Sequence, residues 1–358
     1  MSIKIDQFDS YLSDDGPSAI VIREFLQPVE GRDGVLFPAT FAAAENTKEF
    51  AGGYNIDEWE DLNGQQRNAC LVDSVGSQAN RIEPIFDARN YDGRYGALVP
   101  QLLIEAGEKH VSIFEAGHRA GDALIRCSEL QEELQTAFSA VQFCDCLPLA
   151  KIAPTSLVFG VWDSRNTQAK LPRLVTSTIR AFDVRKLTRS AVYAPPVNYS
   201  NIDVFSEKDT AKAEGDKKNP LAKRGFVHNP ASNSHGGVIA EGEIRRDATL
   251  SLSALRLIRT DDKQQNVKLQ RYVLGLAMTA FTYSATGYLR AGCNLVIDPS
   301  GSHECVEVHR DGQRLPFQVI HEDATKFAEL AAKDFGIGKD KTVPFDKKLA
   351  KADVKAKD

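Results

Sequence analysis

Apolar residues at helical spacing predict a helix over Asp73–Arg89. Its apolar stripe, at spacings of four, three and four residues, consists of Val75, Ala79, Ile82 and Phe86. The other side of this helix carries the polar residues Ser74, Ser77, Gln78 and Arg81. Because proline lacks a backbone N–H and clashes with the preceding turn, we expect a kink or a second short piece at Pro84.

Other segments have the alternation or the short apolar runs that are typical of β-strands. We expect strands at Ala19–Glu24, Val35–Phe41, Ser156–Trp162 and Leu174–Val184, and another within Val238–Leu252. Successive side chains of a strand point to opposite sides, so Thr176, Thr178 and Arg180 share one face. A final helix is expected over Asp323–Phe335. Strands and helices mix without strict alternation, which predicts an α+β fold.

The stretch between Arg271 and Arg290 contains no charged residue and is close to the length of a membrane span. Glycine, threonine, serine and tyrosine dilute its hydrophobicity, and Val273, Leu276 and Phe281 fall on one helical face. We therefore expect a buried core helix here and no contact with a membrane.

Composition narrows the class of protein. The chain has 358 residues, of which 42% are hydrophobic and 26% are charged. This predicts about two or three structural units, or one core with large insertions, and excludes global disorder. The net charge of -5 excludes a uniformly basic nucleic-acid coat protein. The chain has few cysteines, and its N-terminus is acidic and lacks an apolar segment. Both features favour a protein of a reducing cytoplasm.

Charge is unevenly distributed along the chain. Met1–Leu62 is strongly acidic, whereas Lys151–Val192 is basic through Lys151, Arg165, Lys170, Arg173, Arg180, Arg185, Lys186 and Arg189. A second basic group consists of Lys223, Arg224, Arg245, Arg246, Arg256 and Arg259. A single charge run usually marks a solvated face. Two such runs predict an electrostatic track for a polyanion if the fold brings them together.

Two segments are polar and poor in large apolar residues. Ser206–Lys223 is predicted to be a long exposed loop or the tip of an insertion. Residues 336–358 are rich in lysine, aspartate and alanine, and we expect them to form a flexible tail.

Motifs of common enzymes are absent from the sequence: there is no P-loop, no dinucleotide-binding glycine motif, no H-E-x-x-H and no nucleophile elbow. The candidate metal ligands Cys144, Cys146, Cys293, His303, Cys305 and His309 match no common zinc spacing, so buried thiols and surface histidines are the preferred interpretation. His118 and Asp122 are interpreted as a surface pair rather than as an oriented base. Arg224-Gly225-Phe226 begins like an RNA-recognition signature, which the next residues break.

Several sequence blocks together resemble one known family. They are CLVDSVGSQANRIEP (Cys70–Pro84), PTSLVFGVWDS (Pro154–Ser164), KLPRLVTSTIRAFDV (Lys170–Val184), LTRSAVYAPP (Leu187–Pro196) and GGVIAEGEIRRDATL (Gly236–Leu250). In this order they resemble the backbone subunit of a CRISPR type I-U (I-G) Cascade complex, of the "Cas-seven" superfamily. The acidic N-terminus, Ser206–Lys223 and the lysine-rich tail lie outside these blocks.

The resemblance implies a modified RRM, ferredoxin-like palm made of residues 1–186 and 238–335, with helical or finger insertions. A thumb or long-loop insertion is expected within 187–237. The resemblance also implies a ribonucleoprotein in antiviral defence, in which copies of the chain stack head-to-tail along CRISPR RNA. That guide would pair with target DNA, and the other partners would be further Cascade subunits and a recruited helicase-nuclease.

The predicted RNA-binding residues combine charge with position in these blocks. A subunit that holds any spacer sequence needs contacts to phosphate and to the 2′-OH rather than to base edges. The residues are Ser77, Gln78, Asn80, Arg81, Lys170, Arg173, Arg180, Arg189, Arg245 and Arg246. No catalytic residue, metal or cofactor is expected.

Two other functions remain open from the sequence. One is a metal-dependent ribonuclease that cuts target RNA, as related backbone subunits of type III complexes do, with Asp163, Asp247 or Asp14–Asp15 as the metal-binding or orienting carboxylate. We favour these aspartates as turn caps or partners of arginine. The other is a filament of protein alone, without nucleic acid.

Overall fold

The computed structural model describes residues 3–45, 50–90, 93–216, 218–284 and 287–355, and for residues 230–234 only the backbone. The strands are β1 (Ala19–Pro28), β2 (Thr40–Phe41), β3 (Gly53–Tyr54), β4 (Ile56–Glu60), β5 (Gln66–Asp73), β6 (Leu102–Ala106), β7 (Lys109–Ser112), β8 (Val161–Trp162), β9 (Lys170–Leu171), β10 (Val175–Phe182), β11 (Val184–Tyr193), β12 (Asn229–Ala240), β13 (Ile244–Ser251), β14 (Tyr288–Arg290), β15 (Cys293–Ile297), β16 (Glu304–Val308), β17 (Arg314–Pro316) and β18 (Lys341–Pro344).

The α-helices of the described residues are α1 (Val75–Ile82), α2 (Ala123–Arg126), α3 (Gln131–Gln142), α4 (Leu147–Ile152), α5 (Thr155–Phe159), α6 (Glu207–Ala213), α7 (Pro220–Lys223), α8 (Leu252–Leu255), α9 (Lys263–Thr282), α10 (His321–Phe335) and α11 (Lys347–Lys355). Short 3-10 helices lie at Asp9–Tyr11, Glu83–Phe86, Gly96–Leu98, Ile113–Glu115 and Arg119–Gly121. This mixture confirms the predicted α and β composition.

An antiparallel sheet forms the centre of the molecule. Its strand order is β14-β15-β1-β13-β10-β5-β4, and β16 also pairs with β1 and carries β17 at its far side. β15 pairs with the C-terminal end of β1, whereas β16 pairs with its N-terminal end. The centre of the sheet therefore consists of β1, β13 and β10, which lie far apart in the sequence.

The two faces of this sheet differ in chemistry. One face, here called the helix face, packs Ile20, Val175 and Leu250 into the main core together with α9 and α10. The opposite face, here called the outer face, carries polar and charged side chains such as Arg23 and Arg245, which stay partly exposed. Alternation along each strand produces this difference, because neighbouring residues point to opposite sides.

Helix α9 is the central helix of the core. Its N-cap residue Asp262 accepts a hydrogen bond from the backbone N–H of Gln265. Its last three turns are buried on all sides, and the ring of Tyr272 stacks on Phe335 of α10 with 4.6 Å between centroids. The prediction of a buried core helix is confirmed. Among the described residues, no helix is long and apolar enough to cross a membrane.

A long hairpin leaves the sheet where β10 ends and β13 begins. Its strands β11 and β12 pair with each other, and Asp183 makes the bend into β11 with a positive φ of 50°. Between the two strands, α6 and α7 enclose a small core of Ala213, Ala222 and Val227. The hairpin insertion, here residues 184–240, thus extends slightly beyond the segment predicted as an insertion.

Three segments differ from their predicted structure. Of Val35–Phe41, predicted as a strand, only Thr40–Phe41 forms one, and Leu36 makes an isolated bridge to Val238. Most of Ser156–Trp162, predicted as a strand, belongs to α5, whose residues are all buried. A short apolar run does not distinguish a strand from a buried helix by its period. The segment predicted as a flexible tail contains β18, which pairs in parallel with β6, and α11, whose Asp353 forms an ion pair with Arg126 at 2.7 Å.

The predicted break at Pro84 is confirmed. α1 ends at Ile82, and a 3-10 helix follows over Glu83–Phe86. Ser112 and Glu115, which have the S-x-x-E spacing of a capping box, form one that starts a 3-10 helix. Local sequence signals were therefore reliable where they involve proline or a side-chain cap.

Candidate nucleic-acid interface

Two of the predicted arginines lie side by side on the outer face. Arg180 of β10 is directly opposite Arg245 of β13 in the strand register. Arg245 donates from Nε to Asp247 at 2.9 Å, forms an ion pair with Glu243, and lies over the ring of Phe182 at 4.7 Å. Acidic residues therefore compensate the charge of Arg245.

Arg180 differs from its neighbour. Its side chain is exposed, and it has no hydrogen-bond or ion-pair partner among the described residues. Asp247, the acid nearest in the register, is already bonded to Arg245 and to Arg23, whose Nε lies 3.2 Å from Oδ1. The outer face thus presents one arginine whose charge remains available to a ligand.

Ion pairs hold the junction between this face and the hairpin insertion. Arg67 of β5 donates to both carboxylate oxygens of Asp183, at 2.7 and 2.6 Å. These hydrogen bonds hold the pKa of Asp183 below its usual value. Arg185, the second residue of β11, pairs with Glu241 at the end of β12. The predicted residue Arg189 lies further out on β11, where it is exposed.

Lys170 and Arg173 lie before the start of β10. The ammonium group of Lys170 is 5.4 Å from the ring centre of the exposed Trp162. Burial lowers the pKa of Arg173, and the neighbouring charge of Arg119 acts in the same direction. At about 3.3 Å per residue, β10 rises about 16 Å from Val175 to Arg180. Arg173 and Arg180 are therefore too far apart to contact the same phosphate group.

The predicted polar side of α1 is only partly exposed. Asn80 is exposed, whereas Gln78 is 5% exposed and bonds to Asp73 and to Ser177 of β10. Ser77 belongs to the first turn, where its backbone N–H donates to the N-cap residue Ser74. Gln78 was predicted on a polar face, but it lies on the helix side that packs against the sheet.

Arg81 and Arg246 lie on the helix face, away from Arg180. Arg81 donates to the buried carboxylate of Asp73 at 3.1 Å, and Arg246 donates to Glu24 at 2.6 Å. Together with Gln78 they line a cleft of about 260 Å³. Arg245 and Arg246 are neighbours in sequence but point to opposite faces, because a strand alternates its side chains.

The predicted residues therefore occupy four places: the outer face, the hairpin insertion, the segment before β10 and the cleft on the helix face. Sequence reasoning missed two arginines: Arg23, which binds Asp247 on the outer face, and Arg67, which binds Asp183. The alternation of β1 puts Arg23 on the opposite side from Ile20 and Ile22, which was the available signal for an outward-facing arginine.

Two of the aspartates considered for catalysis, Asp163 and Asp247, have partners in the protein. Asp163 is 2% exposed, and its carboxylate accepts from the backbone N–H and the hydroxyl of Thr167 at 2.8 and 2.7 Å. Asp247 bonds to two arginines, as described above. Asp14 and Asp15 lie in an exposed turn. Within the described ranges, no three side chains of His, Cys, Asp or Glu come together as metal ligands would.

Comparison with known proteins finds one family that matches part of the chain. Residues 20–186 match the family described as CRISPR-associated protein GSU0053. The match covers just under half of the chain, from β1 to the start of the hairpin insertion, and includes Lys170, Arg173 and Arg180. A search of curated proteins found no match. The family match supports a CRISPR-associated protein with a role in CRISPR defence.

Proposed function

We propose that the protein is a CRISPR RNA-binding backbone subunit of a type I Cascade complex, in the type I-U (I-G) group. The observation that carries this proposal is the exposed, uncompensated Arg180 on the outer face, beside the root of the hairpin insertion. Arginines on an open face bind phosphate without reading bases, which suits a subunit that accepts any spacer.

The strand order supports a ferredoxin-like palm. Strand β1 is followed by helices α1–α5 and then by β10, and β13 is followed by helices α8 and α9 and then by β15 and β16. In space, β15 and β16 pair with the two ends of β1 on the edge away from β13, and β13 lies between β1 and β10. This order supports the β-α-β-β-α-β arrangement of a ferredoxin-like palm. In this proposal the hairpin insertion, which joins β10 to β13, acts as the thumb.

Repetition of one chain along a guide requires head-to-tail contacts. Such heterologous contacts generate an open helical assembly when the rotation does not close. The acidic N-terminal region and the basic middle of the chain provide complementary charges for this stacking. In this proposal the guide reads the target DNA by base pairing, and other Cascade subunits and a helicase-nuclease join the assembly.

RNA binding by the purified protein tests the proposal. Replacing Lys170, Arg173 and Arg180 together with alanine should weaken binding equally for two unrelated spacers. If each side chain contacts one phosphate, the slope of log affinity against log salt should fall by about 2, at about 0.7 per contact on a single strand. Lys333→Ala, which removes an exposed charge from α10, should leave affinity and slope unchanged.

An unchanged affinity of the triple variant at moderate salt would contradict the proposed interface. A strong preference for one spacer would contradict a backbone subunit, because phosphate contacts carry no sequence information.

We also propose that the subunit acts without catalysis. Incubating the assembled complex with complementary RNA and Mg²⁺ should leave that RNA intact. Regularly spaced fragments that disappear in Asp163→Asn or Asp247→Asn would instead favour the ribonuclease.

A further inference from the structure

A basic groove lies at the end of the sheet that is away from the hairpin insertion. Its volume is about 500 Å³, and Arg256, Arg259 and Lys263 line it together with polar groups of Ser13 and Thr260. The backbone N–H groups of Leu252 and Ser253 donate to Ser18, which places the groove where β1 begins and β13 ends. The hairpin insertion is attached at the end of β10 and the beginning of β13, which lie at the opposite end of the sheet from the groove.

Arg256 is the buried cation of this groove. It is 5% exposed, and it donates to the backbone oxygens of Tyr11 at 3.2 Å and Pro17 at 2.6 Å. Its Nη1 is buried and has no hydrogen-bond partner among the described residues. Burial lowers the pKa of this guanidinium, although the carboxylate of Asp14 attracts it. An unpaired buried donor on a charged group is costly, and an anion would remove that cost.

Two exposed cations complete the groove. Arg259 donates from Nε to the backbone oxygen of Arg256. Its two terminal nitrogens have no hydrogen-bond partner in the described part of the chain. Lys263 is the first residue of the 20-residue helix α9, and its ammonium likewise has no ion-pair partner there. The N-terminus of such a helix attracts anions through its dipole and free N–H groups.

The balance of charge favours an anionic ligand. Asp14 is the single carboxylate among the described residues that line the groove, against three cations. Asp261 and Asp262 precede Lys263 but do not line the groove, and Asp262 caps the N-terminus of α9. The lining offers two guanidinium groups and one ammonium group, and so more donors than the two oxygens of a carboxylate can accept; the several oxygens of a tetrahedral oxyanion suit such a set better.

We propose that this groove binds a phosphate group, held by Arg256, Arg259 and Lys263 at the start of α9. The site is separate from the outer face, so it goes beyond the proposed function and stands even if Arg180 does not bind RNA. The phosphate belongs either to a nucleic acid strand or to a free phosphate compound.

Thermal unfolding of the full chain tests the site, because a ligand that binds only the folded state raises the melting temperature. Inorganic phosphate should raise it more than chloride or acetate at matched ionic strength. The double variant Arg259→Ala, Lys263→Ala should lose this difference. For each single variant, isothermal titration should show a phosphate affinity lowered at least about tenfold, as expected for the loss of one charge-assisted hydrogen bond.

The variants replace the exposed Arg259 and Lys263 and leave Arg256 in place. Arg256→Ala would remove the hydrogen bonds to Tyr11 and Pro17 and could unfold the N-terminal segment. Lys333→Ala is the matched control and should bind phosphate as the unchanged protein does. Equal stabilisation by phosphate, chloride and acetate would overturn the proposal, and so would an unchanged response of the double variant.

Competition then identifies the source of the phosphate. A short RNA with a 5′-hydroxyl that displaces inorganic phosphate from the unchanged protein, but loses affinity in the double variant, supports a strand phosphodiester. Retained phosphate binding in the presence of that RNA supports a free phosphate compound. The triple variant at Lys170, Arg173 and Arg180 should keep its response to inorganic phosphate, so the two proposals fail independently.

Discussion

A buried ion pair between Glu83 and Arg119 offers a sharp test of the core. The two side chains are 3% and 4% exposed, and Nε of Arg119 lies 2.6 Å from Glu83 Oε2. Arg119 also donates to the backbone oxygen of Gly160 at 3.3 Å and lies over the ring of Phe159. Arg119→Met keeps most of the apolar volume but removes the partner of the carboxylate.

The expected loss of stability depends on pH. Removing one partner of a buried pair costs about 3–5 kcal/mol when the other remains charged. Burial raises the pKa of Glu83 to about 7, although Arg119 opposes this shift. The folded protein therefore binds more protons than the unfolded chain between the usual pKa of 4.5 and about 7, so this group's contribution to stability falls as pH rises through that window. Over this shift the fall is at most about 3 kcal/mol.

In Arg119→Met the pKa of Glu83 should rise further, because the positive charge that lowers it is gone. The loss of stability relative to the unchanged protein should thus be larger at pH 8 than at pH 5, where Glu83 carries a proton in both proteins. Urea unfolding followed by circular dichroism measures both values. The double variant Glu83→Gln, Arg119→Met should recover part of the loss at pH 8. Equal losses at both pH values, or no recovery, would refute the reasoning.

Further predictions concern packing and the C-terminal strand. Asp73→Asn should destabilise the fold by about 3 kcal/mol in urea unfolding, because the buried carboxylate holds two arginines and a glutamine. Gly275→Val should lower the free energy of unfolding by about 3 kcal/mol in the same assay, because a Cβ there would lie 2.7 Å from Cα of Ala328 and force α9 and α10 apart. Gly117→Ala is the control: a Cβ at Gly117 meets open space, so the substitution should be nearly neutral. Deleting β18 and α11 should lower the melting temperature of the protein, because β18 pairs with β6. An unchanged melting temperature would instead indicate that this segment is a flexible tail.

The helices and the break at Pro84 could be predicted because their signals are local. A proline cannot continue a helix, and Asp262 caps α9 through its own side chain. Ser156–Trp162 could not be assigned, because a helix buried on all sides has no polar face and thus no helical period. The order of strands in the sheet depends on pairings between distant residues, such as Arg23 with Asp247, which no local pattern contains.

The candidate site was predictable only as a set of charges. The basic character of Arg180, Arg245 and Arg246 is visible in the sequence, and so is the alternation that separates the last two. Arg245 is neutralised by Asp247 and Glu243, which are close to it in sequence, whereas the acid that neutralises Arg246 comes from β1 and depends on β1 and β13 being adjacent. The same holds for Gln78, whose buried hydrogen bonds need Ser177 from a strand far along the chain.

By itself, the sequence determined that the charge-free stretch after Arg271 lies in the core and that bases cluster in the middle of an acidic chain, because hydropathy and charge are properties of single residues. Only the tertiary structure decided where those bases act. A cation is available to a ligand when no acid folds against it, and that depends on which strands and turns meet. Arg180 and Arg259 remain available by this criterion, while Arg246 is bound to Glu24.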